Sequence, residues 1–146
     1  MINDSIKVTG ELKLTLTRPD GNVKHEVIIP NLVVTTGKNY IASRMKDASA
    51  TAMTHMAVGT GSTAAAAGNT ALGSEGGRVA LTSTTVSTNN VAYVATFPAG
   101  TGTGALTEAG IFNASSSGTL LCRTVFSVIN KASADTLGIT WTVTVN

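Results

Sequence analysis

The chain has 146 residues, a formal net charge of +2, a single cysteine, and only 12% charged and 4% aromatic residues against 42% hydrophobic. That length suits one domain whose core needs no metal, and the lone Cys122 excludes an internal disulfide. Domains average about 25% charged residues, so this surface is built largely of Thr, Ser, Asn, Ala and Gly, and the small scattered charge argues against nucleic acid.

Met1–Ser5 lacks the basic and apolar stretches of a signal peptide. No apolar run approaches the ~20 residues of a membrane helix. Synthesis and folding in the cytoplasm are therefore expected.

Residues 6–17 alternate. Ile6, Val8, Leu12, Leu14 and Leu16 share a face with Gly10, while Lys7, Thr9, Glu11, Lys13, Thr15 and Thr17 take the other. Arg18-Pro19-Asp20-Gly21-Asn22 supplies turn chemistry. Val23–Ile29 returns as the second strand of a long hairpin, with Pro30 expected to end it. Lys24 and Glu26 add to the charged outer face. Asn31–Thr36 is a further extended piece, and Thr35 or Thr36 is placed to cap a short helix over Gly37–Lys46. Its Ile41 and Met45, four apart, are expected to face the core.

Thr54–Gly59 is a short strand. Gly59 to Gly77 turns to Gly, Ala, Thr and Ser, and four alanines do not sustain a helix; a long surface loop is expected. Val79–Ser87 and Val91–Phe97 follow as two strands around Thr88-Asn89-Asn90, then a Gly/Thr loop over Pro98–Gly104. Glu108–Ala114, Thr119–Ile129 and Leu137–Val145 suggest three consecutive strands of one antiparallel sheet, with a hairpin turn at Ser115–Gly118. In the second, Leu120, Cys122, Thr124, Phe126 and Val128 alternate with Leu121, Arg123, Val125, Ser127 and Ile129, a strand covered on both faces. The third is the clearest signal in the chain. Leu137, Ile139, Trp141, Val143 and Val145 alternate with Gly138, Thr140, Thr142 and Thr144, apolar inside and β-branched but polar outside. The whole predicts a mainly β fold: an antiparallel β-sandwich or flattened barrel of roughly eight strands with an N-terminal hairpin and one short helix. One domain is expected over residues 1–146, residues 1–30 forming an N-terminal arm and hairpin and 31–146 the sandwich core.

Catalytic chemistry finds little to use. His25 and His55 have no Cys, Asp or Glu at metal-ligand spacing. Cys122 lies mid-strand on an apolar face, the setting of a packing residue. There is no G-x-S-x-G. Gly59-Thr60-Gly61 and Gly100–Gly104 resemble phosphate loops, but the first lacks the Gly-Lys-Ser/Thr ending; flexible loops are expected. Nothing in the sequence brings Glu108 and Asp135 together as acid and base. No catalytic residue, cofactor, metal or small-molecule substrate is expected, nor any nucleic-acid or membrane partner.

Two stretches form a familiar series. One is Met56-Ala57-Val58-Gly59-Thr60-Gly61, an alanine-rich loop and Thr70-Ala71-Leu72-Gly73-Ser74-Glu75. The other is Thr107-Glu108-Ala109-Gly110-Ile111-Phe112-Asn113-Ala114-Ser115 followed by Gly118–Phe126, then Asn130-Lys131 and the Leu137–Val145 strand. Across residues 32–145 this resembles small structural proteins of tailed bacteriophages, whose related domains occur in capsid decoration (cement) proteins and in tail-fibre or neck components. The resemblance implies a virion protein and not an enzyme. A short chain without fibre repeats favours a decoration protein on the capsid surface, a homo-trimer clamping the major capsid protein; a tail-fibre, neck or adhesin module is the alternative. The hairpin lies outside the resemblance. Ile2, Lys7, Lys13, Arg18 and Lys24, with Met1–Ser5, are the expected partner contacts.

Overall fold

A computed structural model describes residues 5–46 and 50–146. Among these residues the fold is mainly β, with nine strands and one helix. The strands are β1 (Val8–Thr17), β2 (Val23–Val33), β3 (His55–Gly59), β4 (Glu75–Ala80), β5 (Ser83–Ser87), β6 (Asn90–Phe97), β7 (Gly104–Phe112), β8 (Leu120–Lys131) and β9 (Thr136–Val145). Helix α1 spans Thr35–Arg44. One curled antiparallel sheet runs β4-β3-β7-β8-β2-β1-β9-β6-β5.

The curl occurs at β2. Its residues up to Asn31 pair with β1, and only Leu32 and Val33 pair with β8, opposite Arg123 and Cys122. The sheet thus has two halves that fold toward each other, β2-β1-β9-β6-β5 and β4-β3-β7-β8. Their inner faces share one core of Leu12, Leu14, Leu16, Ile139 and Trp141 against Met56, Val58, Leu106 and Ile111. Burying each such side chain contributes about 1.5–3 kcal/mol.

β9 is the middle strand of its half. It pairs with β1 over Val8↔Val145 to Thr17↔Thr136 and with β6 over Asn90↔Thr144 to Phe97↔Leu137. Its alternation holds as far as Val143: Leu137, Ile139, Trp141 and Val143 are buried and Thr140 is exposed, while Val145, expected on the apolar face, is exposed at the strand end. The hairpin does not stand apart from the core. β1 is flanked on both sides, and Leu12, Leu14 and Leu16 are completely buried or nearly so.

Several sequence expectations are corrected. β8 and β9 are not sheet neighbours; the turn between them carries the chain from one half to the other. Val79–Ser87 is not one strand. It breaks at Leu81-Thr82, leaving β4 and β5 at opposite edges of the sheet. Pro30 does not end β2, because at that point the strand is paired only with β1, a position where a missing N–H is tolerated. Helix α1 has Val34 at its N-cap with no side-chain cap bond, and the Thr36 hydroxyl donates instead to Leu120 O. Met45 lies beyond the helix, 85% exposed, whereas Ile41 packs on the core. Gly37 touches the carbonyl of Leu121 so closely that no Cβ fits there.

Candidate functional site

The β7–β8 half is covered twice. Its outer face carries a second apolar cluster of Val34, Ala57, Leu72, Phe112 and Leu120. β8 buries every residue from Leu120 to Thr124, and β7 every residue from Leu106 to Phe112. A register shift between Ile111 and Phe112 bulges Leu121, so Leu121 and Cys122 both reach the inner core while Leu120 and Arg123 face outward. The bulge interrupts the simple alternation expected for β8.

On that outer face sits the chain's most unusual group. Glu108 pairs opposite Val125 and Gly110 opposite Arg123, which makes Glu108 and Arg123 diagonal neighbours. They are 0% and 2% exposed. Arg123 Nη2 and Nε donate to Glu108 Oε1 at 2.9 and 3.1 Å. The backbone amides of Gly61, Gly73 and Ser74 donate to the same carboxylate, each at 2.7 Å. The rest of the Arg123 fork reaches Asn69 Oδ1 at 2.9 Å and Thr63 O at 3.0 Å. The ion pair therefore fastens the long Gly/Ala/Thr loop at both ends and in the middle. A Cβ on Gly61 would run into the Glu108 carboxylate, and one on Gly59 into the Ser74 carbonyl first and the carboxylate second. Gly59-Thr60-Gly61, expected to be flexible, is pinned through the Gly61 amide.

Burial alone would raise the Glu108 carboxyl. The amides of Ser74 and Gly73, the Arg123 guanidinium and the Gly61 amide outweigh it and hold the group below its usual range. A carboxylate that accepts five hydrogen bonds has no lone pair to spare for a substrate proton. Asp135 is engaged elsewhere. Lys24 Nζ at 3.0 Å and the Ala132 amide at 2.9 Å lower its carboxyl. Cys122 is buried, and desolvation raises its thiol well above the usual value. His55 Nδ1 shares a hydrogen bond with Thr54 Oγ1, and His25 is exposed. Among the described residues no cluster of three His, Cys, Asp or Glu is placed to hold a metal ion, and no helix is long and apolar enough to cross a membrane.

The expected contact residues do not converge. Ile2 lies outside the described residues. Lys13 pairs loosely with Glu26 at 3.5 Å. Lys24 bridges to Asn130 O and Asp135. Arg18 sits in the hairpin turn, its backbone bonded to Asn22 and Gly21. Lys7 lies elsewhere, beside α1, where it borders a groove with Ile6, Val8 and Lys38.

Across Ile41 from that groove is a more apolar one of about 330 Å³, walled by α1, β5, β6 and β9. Sequence reasoning missed it because its walls come from four distant segments. Tyr40 and Tyr93 border it, but Tyr93 is only 7% exposed and offers no open ring face. Burial, with Tyr40 nearby, raises the Tyr93 hydroxyl. Trp141 is fully buried.

No protein-family model, curated protein or solved structure matches this chain.

Proposed function

We propose that the chain is a structural virion protein of a tailed bacteriophage, a decoration (cement) protein that binds the outside of the assembled head as a trimer and braces the major capsid protein. What supports the reading is the resemblance together with where its residues meet. Gly61, Gly73-Ser74, Glu108 and Arg123 come from the two stretches that carry it, and they converge on one buried fastening. That convergence is the observation the reading rests on. It makes the Gly/Ala/Thr segment a fixed part of a stiff body, as suits a wedge held by neighbours.

Two physical arguments favour the shell. A ligand that binds only the assembled shell stabilises it by mass action against internal pressure. Three linked copies multiply weak contacts through effective concentration. The test is stoichiometry in intact particles. Copies in the hundreds, and rebinding of the purified trimer to stripped heads, support the shell role. A dozen copies or fewer, confined to the neck or tail, would move the assignment to the tail-fibre and neck alternative.

A further inference from the structure

The ten basic residues fall into three sets, one of which, Arg18, Lys46 and Lys131, makes no ion pair among the described residues and borders neither groove beside α1. Lys13, Lys24, Arg78 and Arg123 each pair with a carboxylate. Lys7, Lys38 and Arg44 pair with no carboxylate among the described residues, and all three border the grooves on either side of α1. Arg44 Nη1 is held by a carbonyl, Ala50 O at 2.9 Å. No acidic side chain among the described residues lines either groove. Ile41 borders both, so the two grooves lie next to each other and the pair make a track along the two sides of α1. Along it lie the two most exposed aliphatic side chains among the described residues, Ile6 at 73% and Val86 at 72%, together with Val145 at 41%; Ile28, Val23 and Val128 are exposed elsewhere. Greasy floor and unopposed positive rim coincide, although the chain as a whole is nearly neutral.

We infer that this track is the docking surface for an extended acidic segment of the partner protein. Its aliphatic side chains sit against Ile41, Val143 and Val145, and its carboxylates lie beside Lys7, Lys38 and Arg44. The choice of occupant follows from charge: a basic or neutral segment leaves these three cations desolvated without a countercharge, and an acidic one supplies it. The inference rests on the proposed shell role, and it moves the contact from the hairpin tip to the helix side of the molecule.

The test compares charge-reversal variants of the full chain on heads stripped of it. Lys38→Glu is expected to weaken rebinding severalfold with an unchanged Tm, since its side chain is exposed, and adding Arg44→Glu to bring the loss to at least tenfold at a small cost in Tm, since it breaks the bond to Ala50 O. Val86→Glu is expected to weaken rebinding at least tenfold with an unchanged Tm, and Arg18→Glu at the hairpin tip to change nothing. A zero-length carbodiimide, which joins amines to adjacent carboxylates, is expected to link Lys7 or Lys38 to Asp or Glu of the shell protein. Loss of binding in Arg18→Glu alone, or cross-links from Glu11 or Glu26 to partner lysines, overturns the surface and leaves the shell role standing. A chain truncated to begin at Ser5 that binds tighter than the full chain gives the track to residues 1–4 of this chain instead. If the wild-type chain binds tails and not heads, the shell role falls and the same variants judge the track on tails. If it binds neither, both fall.

Discussion

β9 and the first half of β8 are both central strands, yet they are buried in different ways. In β9 the inner residues are buried and the outer threonines meet solvent or lie half-exposed. In β8 five consecutive residues are buried, because the 60–74 loop lies over the outer face. One half of the sheet is held by apolar burial on one side. The other adds a lid of backbone that brings little hydrophobicity of its own and stays in place through a buried ion pair. A one-sided sheet fails gradually when its core is trimmed. A two-sided one of this kind is vulnerable at a single point.

The largest expected effect tests that vulnerability. Arg123→Ala leaves the Glu108 carboxylate buried with three amides and no countercharge. Breaking a buried pair from one side costs about 3–5 kcal/mol, a large share of the roughly 5–15 kcal/mol that domains possess. Urea unfolding measures it. The Gly61, Gly73 and Ser74 amides are expected to exchange slowly in the wild type and to lose protection in the variant. Leu14→Ala, in the one-sided half, is expected to cost about 2–5 kcal/mol through its cavity, with the protection of those amides retained. Equal loss of amide protection in both variants would mean that the two halves do not differ in this way.

What the sequence made legible follows the same division. Alternation identified β1, β6 and β9, since one face of each is in the core and the other is not. It was blind where that condition fails. Leu81-Thr82 carries no Gly or Pro to announce the break between β4 and β5. Pro30 carries a stop signal that a strand paired on one side ignores. The bulge at Leu121 shifts the facing of β8 by one residue. For the clasp a signal did exist: Glu108 and Arg123 are solitary opposite charges in adjacent apolar strands around one turn, and counting outward from Ser115–Gly118 brings them within reach. The loop's anchoring left no such trace, because it uses backbone amides, which every sequence possesses. The groove beside α1 was invisible for a related reason, being made by the curl of the sheet.

Acid should expose the clasp selectively. Glu108 is held below its usual range when folded, so its contribution is fully present above the unfolded carboxylate value of about 4.3. It is lost as pH falls through the lower folded value. Glu108→Gln keeps the shape but removes the charge that Arg123 needs. The wild type is therefore expected to melt well above the variant at neutral pH, with the gap closing as pH drops below about 4. Asp135 titrates in the same direction, because Lys24 and the Ala132 amide lower it too, and it contributes equally to both proteins. A gap that stays constant down to low pH would mean the Glu108 charge adds nothing to the hold on the loop.

The smallest effects belong to the hairpin, where two lysines of similar appearance differ in what they touch. Lys13 and Glu26 sit 3.5 Å apart with side chains 54% and 48% exposed. Water competes for both charges, and Lys13→Ala is expected to cost under about 1 kcal/mol. Lys24 crosses from β2 to the β8–β9 turn, donating at 3.0 Å to both Asn130 O and the Asp135 carboxylate, whose side chain is 4% exposed. Lys24→Ala therefore removes a tie between the two halves of the sheet, while Lys13→Ala removes a contact within one of them. Thermal melts are expected to rank the wild type and Lys13→Ala nearly together and Lys24→Ala below. The order should survive high salt, which screens the exposed pair more than the sheltered one.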